Sequence, residues 1–481
     1  MPSDQFQGRP LPDWYAGAKF GLLVHWGPYS VPAWAERSGN LQELWSGRGP
    51  AYMLRHNPYA EWYSNTMLIR GSETERHHIE HYGRDFPYER FVPMFNEAAA
   101  HADFASWAEL FAQAGARYAV LTTKHHDGYL LWPSRHSPPR PEYASPRDIV
   151  GGLTQAVRAR GLRMGLYYSG GYDQLFNPTV RRSLRTSAGA IPQGRDYAAY
   201  CEAHFFELIE RYRPSALWND IAYPATLDLD ALFSRYYAAV PDGVVNDRWS
   251  RIKLTGFRRV LVDLAAGGIG LAWPLLPKRY RRLTWRATWH HDFSTPEYEV
   301  YSEARPKKWE AVRGIGTSFG NNRTETDADM LSATELVHLL ADVVSKNGNL
   351  LLGIAPEPGG VFRDEQRTRL LALGEWLSVN GEAIYDTRPW DRAEGTTADG
   401  LPVRFTCTDG ALYVIVLGTP RGPVLSIEGL VWPEGAPARL LGYELPLAWE
   451  QQAGHLAVRI PTSLPERPAW VVRLGRKQGR S

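Results

Sequence analysis

The feature that most constrains this chain is a recurrence. Short apolar runs, each stopping abruptly on polar side chains, alternate with amphipathic stretches of helical spacing. Phe20-Gly21-Leu22-Leu23-Val24 stops at His25-Trp26-Gly27, and Tyr118–Lys124 stops at His125-His126-Asp127-Gly128. Ala216-Leu217-Trp218-Asn219 ends on Asp220, and Val244-Val245 ends on Asn246-Asp247-Arg248. Runs that are apolar throughout, rather than at alternate positions, suit strands buried on both faces, as in a parallel sheet covered by helices.

The intervening stretches carry helix signals. Residues 104–116 have helical spacing with a Gly near the end. Ser145-Pro146-Arg147-Asp148 reads as a helix start, with Ser as N-cap, Pro in the first turn and an acid after it. That helix runs to Arg160-Gly161 and leads to a strand at Arg163–Ser169. Helices at 196–213 and 228–239 precede the Asp220 and Val244 strands. Ser332-Ala333-Thr334-Glu335 is a capping box whose helix precedes a strand at 349–354. This order predicts an α/β fold, a (β/α)8-like TIM barrel. Six strands are placed by these runs, and the strand that closes the ring is expected in the Trp-, Pro- and Tyr-rich loops before about residue 90 or near 316–319.

After a helix at 364–379 the pattern changes. Val403-Arg404-Phe405-Thr406-Cys407 and Leu412-Tyr413-Val414-Ile415-Val416 flank Asp409-Gly410, a strong hairpin signal, and short strands continue to Trp470-Val471-Val472-Arg473-Leu474. A chain of 481 residues exceeds what one core normally organises. The expected division is a barrel over 1–385 and a C-terminal antiparallel β-sandwich over 386–481, more a support for the barrel than a carbohydrate-binding module. Residues 250–288 fit neither pattern. Leu264-Ala265-Ala266-Gly267-Gly268-Ile269-Gly270-Leu271-Ala272 and Lys278-Arg279-Tyr280-Arg281-Arg282 read as a long excursion over the barrel mouth. A phosphate-binding Gly loop would end in Gly-Lys-Ser/Thr, which is missing here.

A formal net charge of +2 gives no electrostatic case for nucleic acid or an anionic membrane. No apolar run reaches the ~18 residues of a membrane span. Met1-Pro2-Ser3-Asp4 opens without a basic, then apolar, leader. Cys201 and Cys407 are expected in a helix and a strand, unpaired. The cytoplasm is the expected compartment. Subunit number stays open, a homo-oligomer included.

If the strands hold, their C-terminal ends bring His25, His125, His126, Tyr168, Asp220 and Arg248 to one mouth. Each has an ordinary reading: Asp220 as a helix cap, Arg248 as a partner of Asp247, one of Tyr167 and Tyr168 as packing. Six polar residues on one face are harder to explain by structure alone. A metal is disfavoured, because adjacent His125 and His126 would point apart on a strand and no His-x-His or His-Glu-x-x-His occurs. Nothing resembles a nucleophile-elbow serine or a dinucleotide fingerprint, so no cofactor is expected. An aromatic, His-rich mouth with carboxylates suits a carbohydrate, and glycoside hydrolysis needs two carboxyl groups. Asp220 is the first. Glu61, Glu297 and Glu310 are candidates for the second.

Together, His25-Trp26-Gly27, His125-His126-Asp127-Gly128, Leu217-Trp218-Asn219-Asp220 and Val245-Asn246-Asp247-Arg248-Trp249 resemble the α-L-fucosidases of glycoside hydrolase family 29, in their bacterial branch. So do Phe293-Ser294-Thr295-Pro296-Glu297-Tyr298 and Lys308-Trp309-Glu310…Ser318-Phe319-Gly320. The resemblance runs from about residue 12 into the C-terminal strands. It implies a metal-free retaining hydrolase of terminal α-L-fucose on oligosaccharides or glycoconjugates, with Asp220 as nucleophile and Glu297 as acid/base, Glu310 being the runner-up. The sugar-binding set it implies is His25, Glu61, His125, His126, Tyr168 and Arg248, with Trp62 and Trp218 as walls. Two departures from the family pattern stand out: the length of 250–288, and Asn321 where an aromatic is commoner. Alternative expectations are a fucose-binding, lectin-like protein without turnover, or a barrel glycosidase for a related sugar such as an α-L-galactoside.

Overall fold

The computed structural model describes residue 6 and residues 8–253, 265–270, 272–277, 281 and 290–475. Within these, seven parallel strands form one sheet: β1 (Phe20–Val24), β2 (Tyr118–Lys124), β3 (Arg163–Ser169), β4 (Ala216–Asp220), β5 (Val244–Val245), β6 (Trp309–Gly314) and β7 (Gly348–Ile354), in the order β5-β4-β3-β2-β1-β7-β6. Every residue of β1, β2, β4, β5 and β7 is buried, as the unbroken apolar runs require.

The eighth stave lies in neither expected place. Residues 316–319 form no strand, and the stretch before residue 90 folds mainly into short helices, including Leu41–Arg48, Pro50–Arg55 and Glu73–Tyr82. The gap between β5 and β6 is closed instead by 292–298. Asp292 N–H donates to Val245 O on one side, while Tyr298 N–H donates to Val312 O on the other. Ser294 and Glu297 make isolated parallel bridges to Trp309 and Val312. This stave carries Ser, Thr and Pro and makes only scattered bridges, so no apolar run announces it.

Alternate strand residues enter two different cores. Leu23, Val120, Tyr167, Trp218, Val312 and Leu351 pack together inside the barrel. Leu22, Leu121, Leu166, Tyr168, Leu217 and Leu350 pack outward under the helices. Gly21 makes the interior possible: a Cβ there would sit 2.4 Å from the Tyr118 ring.

The covering helices are α1 (Phe104–Gln113), α2 (Ile149–Ala159), α3 (Arg195–Tyr212), α4 (Leu229–Ala239), α5 (Ala333–Ser345) and α6 (Asp364–Asn380). In α1 the spacing of Phe104, Trp107, Ala108 and Phe111 buries one face, and Asp103 caps Ala105 and Ser106 N–H. α2 begins later than Ser145 suggests. Its N-cap is Asp148, which accepts from Gly151 N–H, while Ser145 closes a turn onto Arg147 N–H. The Ser332–Glu335 capping box forms as expected.

Beyond α6 the strands become antiparallel. A six-stranded sheet, in the order β13 (Pro446–Leu447), β12 (Ala438–Leu440), β16 (Trp470–Gly475), β10 (Ala411–Val416), β9 (Pro402–Cys407), β8 (Arg388–Thr396), and a three-stranded sheet of β11 (Val424–Glu428), β14 (Trp449–Gln452) and β15 (His455–Arg459) share one apolar core. β9 and β10 pair across the Asp409-Gly410 turn, with Leu412 opposite Cys407. The other face of the larger sheet meets the helices. Tyr413, Ile415 and Val471 join the barrel's outer core, Trp376 Nε1 donates to Ala469 O at 3.0 Å, and Arg404 pairs with Asp342.

Cys201 and Cys407 are both buried, and Cys407 Sγ donates to Pro389 O. No helix among the described residues is long and apolar enough to cross a membrane. The expectation for 1–4 and most of the 250–288 excursion lie outside the described residues. In the described part of that excursion, Trp273 packs edge-on against Trp45, with ring centroids 5.6 Å apart.

Candidate active site

The strand ends meet in a cavity of about 390 Å³ lined by His25, Tyr59, Glu61, Trp62, His125, Tyr167, Trp218, Asp220, Arg248, Glu297 and Phe319, among others. β4 delivers Asp220. Its Oδ2 accepts from Tyr167 O–H at 2.7 Å and its Oδ1 from Arg248 Nη1 at 2.9 Å. β5 is too short to place Arg248 by ladder bonds alone, and asparagines complete the junction. Asn246 Oδ1 accepts from Asn219 N–H, Asn246 Nδ2 donates to Asn219 O, and Asn219 Nδ2 donates to Arg248 O. Directly after Asp220, Ile221 stands at φ 69°. A β-branched residue in the left-handed region costs on the order of 1–3 kcal/mol, strain of the kind that collects at functional turns.

Arg248 joins the two carboxylates. Its Nη2 donates to Glu297 Oε2 at 3.0 Å, and its Nε donates to Thr295 Oγ1 at 2.9 Å. Thr295 in turn donates to Asp247 Oδ1. Glu297 Oε1 accepts from Tyr59 O–H at 2.7 Å. The two acids nearby push the guanidinium's pKa upward despite its burial.

His25 and His125 line the cavity, with His126 beside His125. His126 and His125 have left the strand, and their rings lie with centroids 4.0 Å apart and planes tilted by 31° instead of pointing to opposite faces. His126 Nδ1 meets Ser169 Oγ at 2.7 Å, and its Nε2 lies 3.8 Å from Asp220 Oδ2. Burial pushes His25 down to about 3 and holds His125 and His126 well below the ordinary range, so all three are neutral imidazoles. Glu61 accepts from Gly320 N–H at 2.7 Å, yet burial drives it up to about 8.

Two expected residues belong elsewhere. Tyr168 faces the helices, where its O–H meets His204 Nδ1 and its ring packs on Phe205. Tyr167 takes its place in the cavity, because the register sets Tyr167 beside Trp218 on the inner face. Glu310 lies in the barrel interior beneath Trp218, outside the cavity lining. It is 1% exposed and accepts from Tyr15 O–H, Tyr118 O–H and Trp218 Nε1. Asn321 is buried away from the cavity, and Phe319 lines it. Sequence reasoning missed Tyr59 and Thr295. Thr295 sits within a quoted motif, but nothing local marks Tyr59. Among the described residues, no group of three or more His, Cys, Asp or Glu side chains could hold a metal ion.

A parallel barrel that opens its strand ends into an aromatic-walled cavity with two carboxylates on one arginine defines a glycoside hydrolase. An alpha-L-fucosidase family model matches residues 1–261 and 279–382. The chain is 31% identical to an alpha-L-fucosidase of Dictyostelium discoideum, over 96% of this chain and 91% of that one, and 30% identical to the human tissue alpha-L-fucosidase, over 97% and 89%. The Thermotoga maritima alpha-fucosidase structure in complex with fucose matches with a TM-score of 0.81 at 36% identity, over 98% of this chain and 99% of that chain. The chain belongs to the α-L-fucosidase family, glycoside hydrolase family 29.

Proposed function

We propose that this protein hydrolyses terminal α-L-fucosyl residues of oligosaccharides or glycoconjugates with retention, using Asp220 as nucleophile and Glu297 as acid/base. The observation that carries the assignment is the shared guanidinium. Asp220 and Glu297 each lie one hydrogen bond from Arg248, which suits the roughly 5–5.5 Å separation of retaining enzymes. In the first step Asp220 attacks the anomeric carbon while Glu297 gives its proton to the departing oxygen. In the second, Glu297 takes a proton from water, which attacks the fucosyl-enzyme and frees Asp220. His25 and His125, being neutral, can each donate to or accept from sugar hydroxyls, while His126, with Nδ1 on Ser169, has only Nε2 left to offer. Trp62 and Trp218 supply walls, and Tyr167 replaces Tyr168 in the binding set.

One observation favours a second assignment of the proton donor. Glu61, at about 8, carries a proton at neutral pH. Azide rescue separates the two. Truncating the true acid/base leaves a fucosyl-enzyme that azide can intercept as the α-fucosyl azide, so rescue of Glu297→Ala and none of Glu61→Ala supports Glu297. The reverse result moves the role to Glu61.

The division at 385/386 is likewise our reading, supported by the change from parallel to antiparallel strands between β7 and β8. The buried, unpaired Cys201 thiol fits a reducing compartment such as the cytoplasm.

A further inference from the structure

We propose that the outer part of the cavity is a leaving-group site for an apolar alcohol, so that the preferred substrate is an α-L-fucoside of an alkyl or aryl aglycone. The inference rests on the fucosidase reading above and concerns the other half of the substrate.

The cavity is larger than its polar end needs. Its volume of about 390 Å³ lies in the range, roughly 300–1,000 Å³, of sites that enclose a whole drug-sized ligand. The carboxylates meet on Arg248, and His25 and His125 stand against the Tyr167 ring. Much of the remaining lining is apolar: Trp45, Met53 and Leu54 belong to one apolar cluster, Ile191 and Ile221 to another, and Ile252 joins them in the lining. A second sugar ring would bring several hydroxyls, each costly to bury without a partner. Among the described residues this wall has few groups to meet them. The Tyr172 hydroxyl already donates to Ser187 O at 3.1 Å, and Ser187 and Ser250 are the serines of the described lining.

Two further observations place the site. Met53 and Leu54 belong to the same apolar cluster as Tyr59, whose O–H holds Glu297, so the wall stands beside the group assigned to protonate the departing oxygen. Trp45 is braced by Trp273, which lies so close to Gly49 that a Cβ there would be 2.8 Å from its Cδ1. Trp273 falls within 262–278, between the two segments that the family model matches.

The test is kcat/KM of the purified full chain on methyl α-L-fucoside, octyl α-L-fucoside below its micellar concentration, and α-L-fucosyl-(1→2)-galactose. The two alkyl alcohols leave with similar ease, so their ratio reports aglycone binding. The octyl glycoside should exceed the methyl glycoside and the disaccharide by at least about tenfold, with the octyl-to-methyl gain carried mainly by KM. Trp45→Ala and Ile252→Ser should each lower the octyl-to-methyl ratio at least about threefold. Ile252 is 36% exposed, so its variant tests the wall without a folding penalty. A flat octyl-to-methyl ratio, or a disaccharide turned over faster than the octyl glycoside, overturns the proposal and leaves the fucosidase reading standing. If none of the three is hydrolysed, the fucosidase reading fails and this inference with it.

Discussion

The Tyr167 hydroxyl donates to Asp220 Oδ2 across 2.7 Å, and its ring stacks on Trp218 at 5.3 Å with the planes 21° apart. With Arg248 on Oδ1, both carboxylate oxygens are held, so the rotamer of the assigned nucleophile is set before substrate arrives. Burial and the Asp220 charge keep the Tyr167 proton in place by raising its pKa.

Tyr167→Phe should therefore lower kcat/KM by about 10–100-fold, matching the roughly 1.5–3 kcal/mol of a hydrogen bond to a charged group. Tyr168→Phe, on the outer face, should change it by less than about threefold. Equal effects in steady-state kinetics would show that the strand parity is not what separates them.

Asp220→Gly should reduce turnover by at least about 10³-fold, and azide should restore activity on an activated aryl fucoside. Azide then attacks from the face the carboxylate has vacated, so the product should be the β-fucosyl azide, identified by NMR. An α product would remove Asp220 from the nucleophile's place.

Glu297→Ala and Glu310→Gln should differ in kind. The first should slow poor leaving groups far more than activated ones and yield the α-fucosyl azide. The second puts an amide among three donors inside the barrel, so about 1–3 kcal/mol of stability should go, with no azide rescue. Denaturation midpoints and rescue assays separate the two effects.

The buried His25 and Glu61 should leave a stability plateau between about pH 4.5 and 6.5, where their effects offset, with losses on either side. The folded value of His25, about 3, lies below the ordinary 6.5, so the unfolded chain takes up a proton that the folded chain refuses. Its contribution is complete above about pH 6.5 and is lost as pH drops, by about 2 kcal/mol at pH 5. Glu61 acts in the opposite sense. At about 8 against an ordinary 4.5, it keeps a proton that the unfolded chain releases, so stability present below 4.5 is lost as pH rises through 8. Thermal melts should show His25→Asn flattening the acid limb and Glu61→Gln the alkaline one. Unchanged slopes would mean that neither group is buried as described.

Local sequence determined the strand and helix alternation, because buried parallel strands must be apolar throughout and surface helices must be amphipathic. It also placed Asp220 and Arg248, since a polar residue ending such a run has only the barrel mouth to occupy. Tertiary structure decided what local patterns do not encode. A strand buried on both faces has no hydropathic alternation, so the inward position of Tyr167 follows only from its register with Trp218. Glu310 resembles any other strand carboxylate until Tyr15, Tyr118 and Trp218, from three distant segments, close around it. The stave at 292–298 pairs through scattered bridges and carries no apolar run, so its place between β5 and β6 exists only once the barrel has closed. Glu297 takes its position from that closure, and the nearness of the two carboxylates is a property of the ring of strands rather than of any stretch of chain.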